Sequence, residues 1–188
     1  MNDVKKIERL LKDLIGLDVR TIGSSAIHSA IQRRMHLLHD ENLEHYTKFV
    51  LRDSGEQTAL VEQVVVPETW FFRDRAPFEE FRRLLNTRPR GEPLKILSVP
   101  CATGEEPYSI ALCLIDDGWS PTDFSIDAVD ISAEAITKAR AGKYTQHSFR
   151  GEQNALLINK YFLQEENGFV LSPHVRQCVY FSIANILD

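Results

Sequence analysis

Polar side chains that could bind a ligand follow three apolar segments typical of buried strands. In chain order they are Glu105 and Glu106 after LKILSVP, Asp130 at the end of DFSIDAVD, and Asn185 within CVYFSIANILD. Ligands of an open α/β sheet bind beyond the carboxyl ends of its strands, so we expect these side chains to converge there. Asp130 lies 26 residues after Gly104, near the spacing of about 20 residues at which such folds hold ribose hydroxyls. Asn185 could hydrogen-bond a base edge while Ile186 packs against the base.

The loop CATGEEP differs from a dinucleotide-binding fingerprint. It has one glycine, Gly104, where the fingerprint has three, and its helix begins with Glu105 and Glu106. Two carboxylates disfavour pyrophosphate but suit a cationic ligand. The alternative, which the spacing alone favours, is that they stabilise the helix N-terminus. A nucleoside with a cationic far end describes S-adenosylmethionine better than NAD or ATP.

The N-terminal part of the chain has the periodicity of a helical domain. An apolar stripe from Ile7 to Leu14 predicts a first helix that ends at Gly16. Pro67 ends the run, because it lacks an amide hydrogen and disfavours helix at the preceding residue. Further helices are predicted from Ser24 or Ser25 and over residues 43–51 and 57–65.

From Phe78 onward, strands and helices alternate. LKILSVP and DFSIDAVDIS are predicted strands, each followed by a helix that ends at a glycine, and CVYFSIANILD is a third core strand. Ser132 is the expected N-cap of the second helix, a further helix is predicted over 153–161, and GFVLS is a candidate strand. The fold class is therefore α/β, with a small all-helical N-terminal domain followed by a Rossmann-like domain. Three parallel strands form the first half of a doubly wound sheet, so we expect the domain to be truncated at residue 188.

The composition excludes several classes of protein. With 43% hydrophobic and 26% charged residues, the chain is globular, and its net charge of -5 argues against a general nucleic-acid binder. No apolar run reaches the roughly 20 residues that span a bilayer, so no membrane insertion is expected. Three cysteines without a CxxC motif suit a reduced, cytoplasmic compartment. His36 and His39 lack further ligands at suitable spacing, so no metal site is predicted.

Several motifs together resemble the CheR-type chemoreceptor glutamate methyltransferases. CATGEEPYSIAL is similar to the first motif of that family, and ETWFFR at 68–73 is similar to its ETxFFR stretch. DAVDIS, AGKY, SFRG at 148–151 and VRQCVYFSIANILD are similar in the same order, over nearly the whole chain. Pro67 stands where many members have asparagine, so no contact is carried over to that position.

The resemblance implies three segments: a helical substrate-docking domain (1–62), a linker that contributes to the cofactor site (63–77), and the first part of a methyltransferase domain (78–188). It implies S-adenosyl-L-methionine as cofactor and S-adenosyl-L-homocysteine as product. Arg73 is also the candidate for orienting the substrate carboxylate, although its charge pattern alone indicates a surface ion pair. Trp70, Phe71 and Phe72 would hold the linker by packing. The implied cofactor contacts are Thr69, Arg73, Glu106, Asp130, Asn185 and Ile186.

The implied substrate is a methyl-accepting chemoreceptor, whose cytoplasmic helices carry the glutamates that become methyl esters. Arg33 and Arg34, off the apolar stripe of the second helix, are the candidates for docking it, and an ordinary solvated helix face is the alternative. Two other functions stay open: a truncated module that binds S-adenosylmethionine without turnover, and a regulatory interaction module. The family's later motif, with an asparagine and a tyrosine near the methyl group, has no counterpart here. We therefore expect this chain alone to be catalytically impaired.

Overall fold

The structure, a computed structural model, describes residues 3–65, 68–88, 92–150 and 154–187. They form two compact units, one of residues 3–65 with 185–187 and one of residues 68–184. The predicted three-part division, with residues 63–77 as a linker, stays a prediction. Several sequence expectations fall outside the described residues: the helix stop at Pro67, the centre of the loop RPRGEP, Gly151 of SFRG, and Asp188.

The first unit consists of helices, as the periodicity predicts. Helix α5 begins three residues before the predicted start, because the Asp53 carboxylate accepts a hydrogen bond from the Glu56 amide (2.7 Å) and caps it. The short α2, which the periodicity did not indicate, is capped in the same way by Asp18. Fully buried side chains, among them Ile7, Ile27 and Leu60, form the core of this unit. Its helices are α1 (Asp3–Ile15), α2 (Val19–Ile22), α3 (Ser24–Leu37), α4 (Leu43–Val50) and α5 (Ser54–Val64).

The second unit is built on a parallel sheet, which confirms the predicted α/β class. Its order is β1-β2-β6, with both pairings parallel. Because β1 and β2 pair as far as Ser98 opposite Ala128, both strands deliver their carboxyl ends to the same edge. The strands are β1 (Leu94–Ser98), β2 (Phe124–Asp130), β3 (Lys143–Tyr144), β4 (Phe162–Glu165), β5 (Gly168–Leu171) and β6 (Val179–Ile183).

Helices connect and cover these strands. The helix after β1 is largely buried, while the helix after β2 begins at the predicted cap, where Ser132 Oγ accepts a hydrogen bond from the Ala135 amide (2.9 Å). Within the described residues, no helix is long and apolar enough to cross a membrane. The helices are α6 (Arg75–Thr87), α7 (Glu105–Asp116), α8 (Ala133–Ala141), α9 (Asn154–Tyr161) and α10 (Pro173–Arg176), with a 3-10 turn at Gln146–Ser148.

A small antiparallel sheet, ordered β3-β5-β4, lies between α8 and β6 in the chain. Of these three strands, the sequence indicated only β5. Strand β3 has only two residues, too few to show a period. Next to this sheet, Phe71 (1% exposed) packs in an aromatic cluster with centroid distances of 4.9 Å to Tyr144 and 5.1 Å to both Phe149 and Phe162. The linker residue Phe71 is thus part of the core, as expected for a packing role.

Candidate cofactor site

The loop that joins β1 to α7 makes a tight turn at the end of the sheet. The Cys101 amide donates to the Val129 carbonyl (2.9 Å), and the Gly104 amide donates to the Cys101 carbonyl (3.0 Å). Gly104 has a left-handed backbone (φ 94°), and a Cβ there would lie 2.9 Å from Ala139 Cβ. Only glycine fits this position without strain. Ala102 is also left-handed (φ 45°), a strained state that folds tend to keep at functional sites.

Asp130 ties this loop to the end of β2. Its side chain is buried (4% exposed), with Oδ2 accepting from the Ala102 amide (2.7 Å) and Oδ1 from the Ser132 amide (2.9 Å). Since a carboxylate offers about four lone-pair sites, each oxygen can still accept a ribose hydroxyl. Asp130 therefore has a structural role that its position in the sequence did not indicate, and its predicted ribose contact stays a prediction.

The two adjacent glutamates at the start of α7 have different environments. Glu106 is exposed, and its Oε1 accepts from the Ser98 hydroxyl (2.7 Å), which leaves the other oxygen available to a ligand. Glu105 is buried and accepts hydroxyl hydrogen bonds from Thr103 (2.6 Å) and Ser148 (2.8 Å). Burial raises the pKa of Glu105, while the two hydroxyls oppose that shift. In the sequence the two residues form one motif, but in the structure the carboxylate of Glu106 faces outward and that of Glu105 faces inward.

The linker residues lie against α7 and the 3-10 turn at Gln146–Ser148. The Phe71 amide donates to the Ser148 carbonyl (2.9 Å), and the Phe72 amide donates to Ser109 Oγ (3.0 Å) in α7. Thr69, half-buried, and Arg73, exposed, therefore belong to the same unit as Glu106 and Asp130. These four predicted cofactor contacts share one unit.

Arg73 lies beside an indole. Its Nη1 donates to the Glu68 carbonyl (2.6 Å), and its guanidinium carbon lies 4.7 Å from the Trp70 ring centroid. Arg150 also stacks on Trp70 (4.8 Å) and lies 3.6 Å from the Glu68 carboxylate. The second guanidinium was not predicted as a site residue, although SFRG contains it. A guanidinium held on an aromatic face keeps N–H groups that can bind a carboxylate.

Asn185 and Ile186 fall in the other unit. Asn185 Nδ2 donates to the Leu14 carbonyl (2.8 Å), and Ile186 is 73% exposed. For Asn185 to make the predicted contact with a base edge through its Nδ2 group, that group would have to give up its hydrogen bond to the Leu14 carbonyl. Both residues stay predicted contacts, and the structure does not group them with Glu106 and Asp130.

The predicted docking arginines have partners inside the helical unit. Arg33 is exposed and donates to the Gln63 side chain (3.0 Å). Arg34 is only 17% exposed and makes two hydrogen bonds to Glu56, at 2.9 and 2.7 Å. The predicted docking role of Arg34 stays a prediction, and its guanidinium is held by the buried carboxylate of Glu56. Its spacing from Glu56, 22 residues, gave no local signal.

A metal site and a cysteine nucleophile have less support than a cofactor site. Among the residues that the structure describes, no group of three or more His, Cys, Asp or Glu side chains could hold a metal ion. Cys101 is buried beside Asp130, and desolvation raises the pKa of its thiol to about 12, so it is not a thiolate nucleophile at neutral pH.

The tight turn at the carboxyl end of β1, with the exposed carboxylate of Glu106 and the buried carboxylate of Asp130 bonded to it, suits an α/β domain that binds a nucleoside with a cationic end. The family model "CheR methyltransferase, SAM binding domain" matches residues 67–188. The chain therefore belongs to the CheR methyltransferase family, and its cofactor is S-adenosyl-L-methionine. The chemistry of the residues present is compatible with that cofactor, because Glu106 has a carboxylate oxygen left for a cationic group and Asp130 has lone pairs left for hydroxyls; both contacts stay predictions.

Curated relatives support this membership. The "Probable biofilm formation methyltransferase WspC" of Pseudomonas aeruginosa is 44% identical over 194 residues, covering 100% of this chain and 45% of that protein. WspC of Pseudomonas putida is 37% identical over 192 residues, with the same coverage. "Chemotaxis protein methyltransferase 2" of Vibrio cholerae is 32% identical over 171 residues, covering 85% of this chain and 58% of the relative. The chain thus spans about half the length of the relatives it matches.

Proposed function

We propose that this protein transfers the methyl group of S-adenosylmethionine to glutamate side chains of a methyl-accepting chemoreceptor, in the cytoplasm. The observation that carries the proposal is the CheR family match over the unit in which Thr69, Arg73, Glu106 and Asp130 occur together. Two relatives are named as biofilm formation methyltransferases, which supports a role in biofilm-related signalling.

The proposed chemistry requires positioning rather than a general base. A glutamate carboxylate, with an ordinary pKa of about 4.3, is already ionised at neutral pH. Its oxygen bonds to the methyl carbon as the carbon–sulfur bond breaks, the electron pair passes to sulfur, and a methyl ester and S-adenosylhomocysteine result. Alignment of the reacting atoms can supply about 7–11 kcal/mol of the barrier.

Arg73 is proposed to orient the receptor carboxylate. Its guanidinium is exposed and its central carbon lies 4.7 Å from the Trp70 ring centroid, and a guanidinium can form a two-pronged hydrogen bond to a carboxylate. Among the arginines predicted for docking, the proposal now rests on Arg33, because Arg34 is held by Glu56.

Cofactor binding is tested by calorimetry with S-adenosylhomocysteine. We expect Glu106→Gln to weaken binding about 10- to 100-fold, the effect of removing a charge-assisted contact. Asp127→Asn is the matched control, since Asp127 lies on the same sheet but is exposed near its middle. The loss of affinity should be larger for Asp130→Ala, which also disrupts the loop. Equal affinity of Glu106→Gln and the parent would remove the cofactor assignment of Glu106.

Methyl transfer is tested with labelled S-adenosylmethionine and receptor-containing membranes. Base-labile label in the receptor supports the enzyme. Tight S-adenosylhomocysteine binding without label supports the binding module, and the absence of both binding and label supports the regulatory module. For docking, Arg33→Glu should reduce receptor binding. Arg9→Glu, an equal charge change at an exposed side chain of α1, should leave receptor binding unchanged. Identical receptor affinity of both variants would remove Arg33 from the proposal.

A further inference from the structure

Glu105 is a buried acid that joins two distant parts of the chain. It is the first residue of α7 and only 2% exposed. Its Oε2 accepts a hydrogen bond from the Thr103 hydroxyl (2.6 Å), and its Oε1 accepts one from the Ser148 hydroxyl (2.8 Å). Thr103 belongs to the loop after β1, whereas Ser148 ends the 3-10 turn 43 residues beyond Glu105. One carboxylate thus links the cofactor loop to the segment before α9.

Two residues that contact Glu105, Ser148 and Ser109, also hold the linker backbone. The Ser148 carbonyl accepts from the Phe71 amide (2.9 Å). Ser109 Oγ accepts from the Phe72 amide (3.0 Å) and donates to the Glu105 carbonyl (2.6 Å). Phe72 has a left-handed backbone (φ 53°), which a phenylalanine keeps only where its surroundings impose it. Two successive linker amides are therefore held by residues that contact Glu105.

We propose that Glu105 is a positioning residue that sets where the linker segment 68–73 lies relative to the loop 101–104. Glu105 acts through Ser148 and Thr103 and touches neither cofactor nor substrate. The consequence for catalysis rests on the proposed function, because Thr69 and Arg73 are the linker residues assigned there to the cofactor and the receptor carboxylate.

The donor pattern explains why a carboxylate stands at this position. Thr103 and Ser148 both direct hydroxyl hydrogens at Glu105, so their partner must accept twice. A glutamine has one acceptor and one donor, so one hydroxyl would have to reverse its direction. Aspartate accepts twice but is shorter by one carbon–carbon bond, about 1.5 Å, and cannot keep both hydrogen bonds at these distances.

Trp70 provides a direct readout of the linker position. The chain has two tryptophans, and Trp119 is buried beyond the end of α7. A Trp119→Phe background leaves Trp70 as the single indole, with the Arg73 and Arg150 guanidiniums 4.7 and 4.8 Å from its ring. Displacement of the linker changes these contacts and hence the emission maximum and the acrylamide quenching of Trp70.

The test compares Glu105→Gln, Ser148→Ala and the double variant in that background. We expect each single variant to change Trp70 emission and to weaken S-adenosylhomocysteine binding about tenfold, the effect of one charge-assisted hydrogen bond. The double variant should lose little more cofactor affinity than either single variant, since both changes break the same hydrogen bond between Glu105 and Ser148. Glu106→Gln is the control: it should weaken S-adenosylhomocysteine binding while Trp70 emission stays as in the parent.

Unchanged Trp70 emission in both single variants overturns the proposal. A variant whose Trp70 emission changes but whose affinity for S-adenosylhomocysteine does not change overturns it as well. Ser148→Ala keeps the test decisive if Glu105→Gln does not fold, because Ser148 is half-buried and its backbone contact to Phe71 survives the change. Failure of the proposed function can be distinguished from failure of this proposal about Glu105. A parent that binds no S-adenosylhomocysteine refutes that function, while Trp70 emission in cofactor-free protein still decides the role of Glu105.

Discussion

Replacing Glu56 by alanine should strongly destabilise the helical unit. Glu56 is 3% exposed by its side chain and accepts from Arg34 Nε (2.9 Å), Arg34 Nη2 (2.7 Å) and the Tyr46 hydroxyl (2.9 Å). Burial raises the pKa of Tyr46, with its hydrogen bond to Glu56 as the next cause, and the separate hydrogen bonds from Arg34 to Glu56 raise the pKa of Arg34. The substitution leaves a mostly buried guanidinium and a buried hydroxyl without their acceptor.

The size of the effect follows from this geometry. Breaking a buried ion pair by removing one partner costs about 3–5 kcal/mol. Since Arg34 retains 17% exposure and can reach water, we expect the lower end, about 3 kcal/mol, in the free energy of unfolding. Tyr46→Phe removes a single neutral donor and should cost about 1 kcal/mol.

The assay is urea unfolding of the full chain, followed by far-UV circular dichroism, for Glu56→Ala, Arg34→Ala and the double variant. Contacting residues should show a coupling energy of about 1–3 kcal/mol in this cycle. Glu44→Ala is the control, because the Glu44–Lys48 pair is equally short (2.7 Å) but both side chains are more than 60% exposed. No measurable change is expected there. A loss below about 1 kcal/mol for Glu56→Ala, with no coupling to Arg34, would refute the reasoning and return Arg34 to the docking surface.

Two further outcomes are expected from the loop before α7. Gly104→Ala should destabilise the fold by about 1–3 kcal/mol in urea unfolding, since alanine is strained at φ 94° and its Cβ meets Ala139 at 2.9 Å; a change within about 0.5 kcal/mol would contradict the close packing. Glu105→Gln should alter the pH dependence of stability. Burial raises the pKa of Glu105 in the folded state, so its contribution is fully present below the unfolded pKa and is lost as the pH rises through the folded pKa. Parallel stability–pH curves for the variant and the parent, from about pH 4 to pH 8, would show that the pKa is not raised.

The sequence determined the order of elements because the signals involved are local. Apolar periodicity, the stop at Gly16 and the cap at Ser132 each act within a few residues, and all three are found in the structure. The spacing between predicted strands also indicated which side chains follow strand ends, since parallel strands place their carboxyl ends at one edge. The residues that carry the family resemblance are contiguous motifs, which a single sequence displays directly.

Only the tertiary structure decided how neighbouring or distant residues are used. Glu105 and Glu106 are identical in type and adjacent, but a helix turns about 100° per residue, so one faces Ser148 in the interior and the other faces outward. The pairing of Arg34 with Glu56 depends on how α3 packs against α5, over a separation of 22 residues. Long-range contacts of this kind depend on packing, which local periodicity does not encode.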